Sequence, residues 1–156
     1  MKAPLPSFRL LAGTTAIATI AALALAVSRP TVVTVDGQRI VSDVPAVSAR
    51  DGVYLPLRAV SEAAGARTSY DARTGELIVR RGADTLRMRV GERRASLNGS
   101  AIRLTQAPFN VRGRAMVRGT DLAAALGSSL RFDGPRNRVD LRTPGAVVAG
   151  APEDGS

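Results

Sequence analysis

The sequence contains no cysteine, no histidine and no tryptophan, and aromatic residues make up only 3% of its 156 positions. Without cysteine there is no disulfide to brace the fold and no thiol for lipid attachment. The joint absence of histidine and cysteine excludes Ser-His-Asp and Cys-His nucleophile systems, and any metal site built on imidazole or thiolate. Gly-x-Gly-x-x-Gly and Walker phosphate loops are missing as well. Lysine occurs once, at Lys2. With so few aromatics, a core has to be assembled from Val, Leu, Ile and Ala, and the 45% hydrophobic content is enough for one domain.

What is present begins with an address. Lys2 and Arg9 form a positive n-region, Leu10 to Val27 is almost free of charge, and Ala24-Leu25-Ala26 is an A-x-A cleavage pattern. Residues 1–26 therefore read as a secretory signal peptide. An uncleaved N-terminal membrane anchor is the alternative, since the apolar run is close to the minimum for a spanning helix. Residues 27–31 form a linker. Removing Lys2 and Arg9 leaves twenty arginines against thirteen acids, a mature charge of +7. Using arginine throughout fits a codon bias; it also fits contact with an anionic polymer, to which guanidinium binds bidentately.

From Val32 onward, turns and periodicity set the architecture. Asp36-Gly37 and Asn98-Gly99 each sit between β-rich runs and predict hairpins, because both turn residues tolerate positive φ. Gly52 to Asp71 predicts strand, short helix and strand. Pro56 stands at the first helical position, Leu57, Val60 and Ala64 form the apolar stripe, and Gly65 is the left-handed cap. Glu76 to Arg80 predicts a further strand. Thr85 to Val90 alternates, with Leu86, Met88 and Val90 on one face and Arg87 and Arg89 on the other. Ser42 to Asp51 and Thr105 to Gly113 read as loops. Shifting the chain by 62 positions lays Asp36-Gly37 on Asn98-Gly99, Leu55 on Val117, Val60 on Leu122, Ala64-Gly65 on Leu126-Gly127 and Tyr70-Asp71 on Phe132-Asp133. This phase predicts a duplication, with repeats at 33–81 and 95–143. The fold class is α+β: two tandem hairpin–strand–short helix–strand repeats forming antiparallel sheet packed on two short helices. Residues 144–156 lack periodicity and read as a disordered tail.

The paired signature is V-D-G-Q-R-I, V-Y-L-P-L-R-A-V-S-E-A-A-G-A and S-Y-D, followed by the N-G echo. It resembles the copper amine oxidase N-terminal-domain-like family, also called stalk domains, over residues 32–143. The strongest motif is Leu55-Pro56-Leu57-Arg58 with Ala64-Gly65-Ala66, so Pro56, Arg58 and Gly65 are the family positions. The resemblance implies an exported α+β domain of the bacterial envelope that is not the catalytic part of the oxidase. It brings no copper or quinone cofactor with it, and without histidine the three-histidine copper site cannot be built. The second repeat departs from the motif, with Arg118 in place of Pro56 and Thr120 in place of Arg58.

Among individual residues, the cluster Arg80, Arg81, Arg87, Arg89, Arg93 and Arg94 is a candidate polyanion-binding face, or else a solvated face that discourages edge pairing. Arg58 is either a surface partner of Glu62, an arginine fastening loop carbonyls, or a ligand contact. Asp71 and Asp133 end strands and fit Asx-turns. Read as a catalytic pair, they would make a carboxylate-based glycan hydrolase, the enzyme alternative. The expectation is a non-catalytic, exported stalk-type module with a binding or spacer role at the cell envelope, with acidic envelope polymer or another envelope protein as partner. A nucleic-acid partner is not expected, because no aromatic lies within the arginine cluster to stack bases, and no membrane span is expected to remain after signal cleavage.

Overall fold

The computed structural model describes residues 30–145. The expected signal peptide, and all but the first two residues of the expected tail, lie outside the described residues. The chain forms β1 (Val32–Val35), β2 (Gln38–Arg39), β3 (Val47–Ala49), β4 (Gly52–Pro56), α1 (Leu57–Ala63), β5 (Arg67–Asp71) and β6 (Glu76–Arg81). After β7 (Asp84–Arg89) come β8 (Arg94–Leu97), β9 (Ser100–Arg103), β10 (Phe109–Val111), β11 (Arg114–Arg118), α2 (Gly119–Ala125), β12 (Ser129–Asp133) and β13 (Arg138–Arg142). The fold is mostly β-sheet with two short helices, as expected of an α+β chain. β1 and β8 begin at Val32 and Arg94, α1 and α2 at Leu57 and Gly119, and β6 and β13 at Glu76 and Arg138; each pair is 62 positions apart. β7 falls between the two series.

The strands do not make one antiparallel sheet. They make three, ordered β12-β13-β1-β2, β10-β11-β4-β3 and β5-β6-β7-β8-β9. In the first, β1 and β13 run parallel, with Val33 beside Val139 and Val35 beside Leu141. The reason is topological: each hairpin leaves its own half of the chain and joins the strand pair of the other half. In the middle sheet β4 and β11 run antiparallel with Val117 directly opposite Leu55, so these two corresponding positions meet face to face.

The short helices owe their existence to this packing, because seven residues are too few to hold a helix in water. Leu57, Val60 and Ala64 on α1, and Leu122 and Leu126 on α2, are buried in one continuous core with Leu55, Leu77, Val117, Val139 and Leu141. Both turns predicted from Asp-Gly and Asn-Gly form, with positive φ at Asp36, Gly37, Asn98 and Gly99. Two expectations change. The segments read as loops each contain a strand, β3 and β10, which edge the middle sheet. Thr31, read as linker, is buried; it bridges Ala46, and its hydroxyl shares hydrogen bonds with Ser48 and Asn137. No helix among the described residues is long and apolar enough to cross a membrane.

Candidate functional site

The arginine cluster of the sequence is divided by the fold. On the five-stranded sheet, Leu77, Val79, Leu86 and Met88 face the core, so alternation turns Arg80, Arg87 and Arg89 to the outer face. Arg94 joins them from β8. Arg81 and Arg93 do not. Arg81 sits one step out of phase and donates from Nη1 to the carbonyl of Leu126 at 2.9 Å, closing the C-terminal end of α2. Arg93 donates from Nε to the carbonyl of Leu104 at 3.1 Å. In their place the register adds two arginines that the sequence reading missed: Arg67 lies opposite Arg80, and Arg103 opposite Arg94. The signal was available. Once a turn joins Asp71 to Glu76 and Asn98-Gly99 closes a two-residue hairpin, counting back along each strand yields both pairs. Arg87 contacts Glu76 and Arg89 contacts Glu92, each at 3.2 Å and half-exposed. Arg67, Arg80, Arg94 and Arg103 have no carboxylate within ion-pair distance among the described residues.

The family positions serve the fold first. Pro56 is not the first helical residue: it ends β4, paired with Met116, and caps α1 at φ −65°. The strand ladder with β11 holds it extended, and its fixed φ suits the handover to helix. Gly65, at φ +78°, lets its own N–H donate to Glu62 and the N–H of Ala66 donate to Ser61, satisfying the last helical carbonyls. Arg58 approaches Glu62 at 3.9 Å with both side chains 55% exposed, a surface pair of little weight.

Beside α1 lies a groove of about 770 Å³, lined by Pro56, Arg58, Ala59 and Glu62, by Thr68 and Tyr70 of β5, by Val41 to Asp43, and by Gly113 to Ala115. Its rim is held by Arg114, which donates from Nε and Nη2 to the Asp43 carboxylate at 2.9 and 2.8 Å. That hydrogen bond keeps the Asp43 carboxyl below its ordinary range and raises Arg114. Val41, on the loop above, is 87% exposed. Tyr70 is 38% exposed, and its hydroxyl accepts from Asn110 Nδ2 at 3.3 Å.

The corresponding ground in the second half is covered. Leu104 stands where Ser42 does and is only 3% exposed. Asp121, in the first turn of α2, accepts from the backbone N–H of Thr105 at 2.8 Å and its hydroxyl at 2.7 Å, clasping the loop to the helix. Ala59 holds the equivalent place on α1 and has no such group. Arg118 replaces Pro56 and lies across Gly52, where an added Cβ would come within 2.9 Å of its Nε, while Nη2 reaches the carbonyl of Asp51.

The two strand-ending acids are engaged in turns. Asp71 and Asp133 each accept a backbone N–H just beyond their strand, from Arg73 at 2.9 Å and Arg136 at 3.2 Å. The carboxyl groups with resolved shifts all move down. Arg136 lowers Asp133, and the Tyr54 hydroxyl lowers Asp51 while being raised itself. At Asp140 burial pushes upward, but the Thr34 hydroxyl and Arg138 outweigh it. A general acid needs the opposite shift.

The profile of a family described as copper amine oxidase N-terminal domain matches residues 34–141. Among curated proteins no significant match is found. The metal in that description has no fitting donors here: the chain has neither His nor Cys, and among the described residues no three carboxylates cluster. The matched span runs from β1 to β13 and takes in all three sheets. The chain belongs to the copper amine oxidase N-terminal domain family.

Proposed function

We propose that the protein is a non-catalytic, exported module that docks on acidic polymer of the cell envelope through the outer face of its five-stranded sheet. The observation that carries this reading is the facing of Arg67 with Arg80 and of Arg94 with Arg103. Like charges directly opposite one another weaken a sheet, and an extended anionic polymer running diagonally across β7, at whose opposite ends the pairs lie, relieves both. Guanidinium groups grip phosphate and carboxylate bidentately. Export rests on the n-region, the apolar run and the Ala24-Leu25-Ala26 site. We also read the 62-residue recurrence as a duplicated unit whose second copy kept the frame and lost the Pro56 and Arg58 motif.

The test is salt-dependent retention of the full chain on heparin and on a phosphate-bearing wall polymer. The log of affinity should fall linearly with log salt, and Arg80→Glu with Arg103→Glu should flatten that slope while the circular dichroism spectrum stays unchanged. Arg81→Gln should leave the slope alone, since that side chain faces α2. If the unmodified chain shows no salt-sensitive retention, the arginine face is solvated surface and a spacer role takes its place.

A further inference from the structure

We propose that the groove beside α1 is a second binding site and that its ligand is a short neutral glycan chain. The inference stands apart from the basic face, because the groove is on the other side of the sheet, where Thr68 and Tyr70 point inward with Leu77 and Val79.

Three features define the ligand. The volume of about 770 Å³ lies within the range of ~300–1,000 Å³ common to small-molecule sites. The charges at the rim are balanced: Arg114 faces Asp43 and Arg58 faces Glu62, so the lining itself carries no net charge to select an anion or a cation. What these pairs do present is donors and acceptors side by side. Each carboxylate oxygen has lone pairs left over and each guanidinium has N–H groups left over. Adjacent hydroxyls on a sugar ring, which donate and accept together, answer that pattern. The third feature is Tyr70. Its ring is partly exposed at the rim and its hydroxyl is held by Asn110, so little freedom is lost on binding. The π-face is electron-rich and the polar tip is wet; the C–H groups on one face of a pyranose carry the complementary charge.

Comparison of the two halves says the opening is specific to one of them. Wherever the first half leaves space, with Pro56, Ala59 and Ser42, the second half has Arg118, Asp121 and Leu104, which cover the equivalent ground. The same frame is compatible with a closed groove, so the open one is a property of these residues and not of the fold.

The experiment is an amide chemical-shift titration of the full chain with β-1,4-linked tetramers of N-acetylglucosamine and of glucose. Shifts should centre on Val41 to Asp43, Arg58, Tyr70 and Arg114, and should persist over about a tenfold range of salt, since no net charge is neutralised. Tyr70→Ala should weaken binding about tenfold. A second variant, Asp43→Thr with Ala59→Asp, copies the clasp of the second half and should close the groove without touching Tyr70; binding should be lost while the spectrum stays folded. Arg80→Glu with Arg103→Glu should bind the tetramers as the unmodified chain does, which separates this site from the polyanion face. Absence of shifts with both tetramers, shifts that map elsewhere, undiminished binding by the clasped variant, or an unstructured peptide taking the same residues in place of the sugar would each overturn the proposal.

Discussion

The four-stranded sheet that holds β1 and β13 and the five-stranded sheet are made from corresponding strands, yet they are joined differently. In the five-stranded sheet the chain runs without a break from β5 through β6, β7, β8 and β9, and β7 keeps β6 and β8 apart. In the four-stranded sheet β13 and β1 are far apart in sequence and meet directly, in parallel. A join made by chain connectivity is brought together by its turns. A join between distant strands needs side chains to fix its register, and they are present. Thr34 donates to Asp140, Asp36 accepts from the backbone and hydroxyl of Thr143, and Thr31 donates to Asn137. Asn98, in the place of Asp36, performs the matching task on β7, accepting from the N–H of Thr85 and donating to Asp84. The added strand also carries Arg87 and Arg89, so the difference in connectivity is also a difference in charge.

The largest effect should come from the core that both halves share. Leu122 is fully buried, as is Val60 at the corresponding place on α1. Leu122→Ala should cost about 2–5 kcal/mol, from lost transfer energy and a residual cavity. Val60→Ala removes fewer atoms and should cost less. Denaturant titration measures both, and equal costs would break the correspondence of the helices.

Next comes a place where the halves exchange volume. Gly119 opens α2, where Leu57 opens α1, and an added Cβ would meet Leu130 Cδ1 at 2.8 Å and Leu55 Cδ1 at 3.1 Å. Leu130 in turn stands where the first half has Thr68. One half puts the bulk on the helix, the other on the strand. Gly119→Ala should therefore cost about 1–3 kcal/mol by overpacking. Adding Leu130→Thr should return part of that, giving a double variant less damaged than the two single costs together. Strict additivity would mean that these positions do not share one space.

These cases mark what a sequence can be made to say. Turn chemistry at Asp36-Gly37, Asn98-Gly99 and Gly65 is local, and so are the apolar stripes of α1 and α2; all were legible. The family resemblance was legible for the same reason, since its motif is a run of neighbours. Strands β3 and β10 were not, because Val47–Ala49 and Phe109–Val111 are short and become strands only through the middle sheet. The parallel seam was hidden too: hairpin signals fix which strands are neighbours in sequence, not which half a hairpin docks against. Of the site, the outward turn of Arg87 and Arg89 followed from alternation. Arg81 and Arg93 were grouped with them by proximity, and a one-residue change of phase sends each to a backbone carbonyl. The groove depends on residues from five segments, so only the folded chain shows it.

The seam supplies a smaller, pH-dependent effect. Asp140 accepts from Thr34, whose side chain is buried, and from Arg138 at 2.7 Å, and its carboxyl lies below the ordinary value. A carboxyl group depressed by folding contributes stability above its unfolded pKa of about 3.9 and loses it as pH falls through the lower folded value. Asp140→Asn should cost about 1 kcal/mol near neutral pH. The gap between the variant and the unmodified chain should close as pH drops below about 4. A gap that is constant with pH would assign Asp140 a steric role only.

The smallest effect should be a gain. Ser61 is fully buried on α1, and its hydroxyl has no hydrogen-bond partner among the described residues. The corresponding residue on α2 is Ala123, buried in the same core. A buried hydroxyl without a partner has given up its water for nothing, and serine is also a weaker helix former than alanine. Ser61→Ala should raise stability by about 0.5–1 kcal/mol, which for a domain of this size is a melting shift of a few degrees. The small void left by one oxygen subtracts from the gain without reversing it. The reverse change, Ala123→Ser, should lower stability by about 1 kcal/mol, because it creates in the second half the unpaired group that the first half carries. If instead Ser61→Ala destabilises while Ala123→Ser costs nothing, Ser61 has a hydrogen-bond partner in solution, and the two helices differ at this position in what they bind rather than in what they lack.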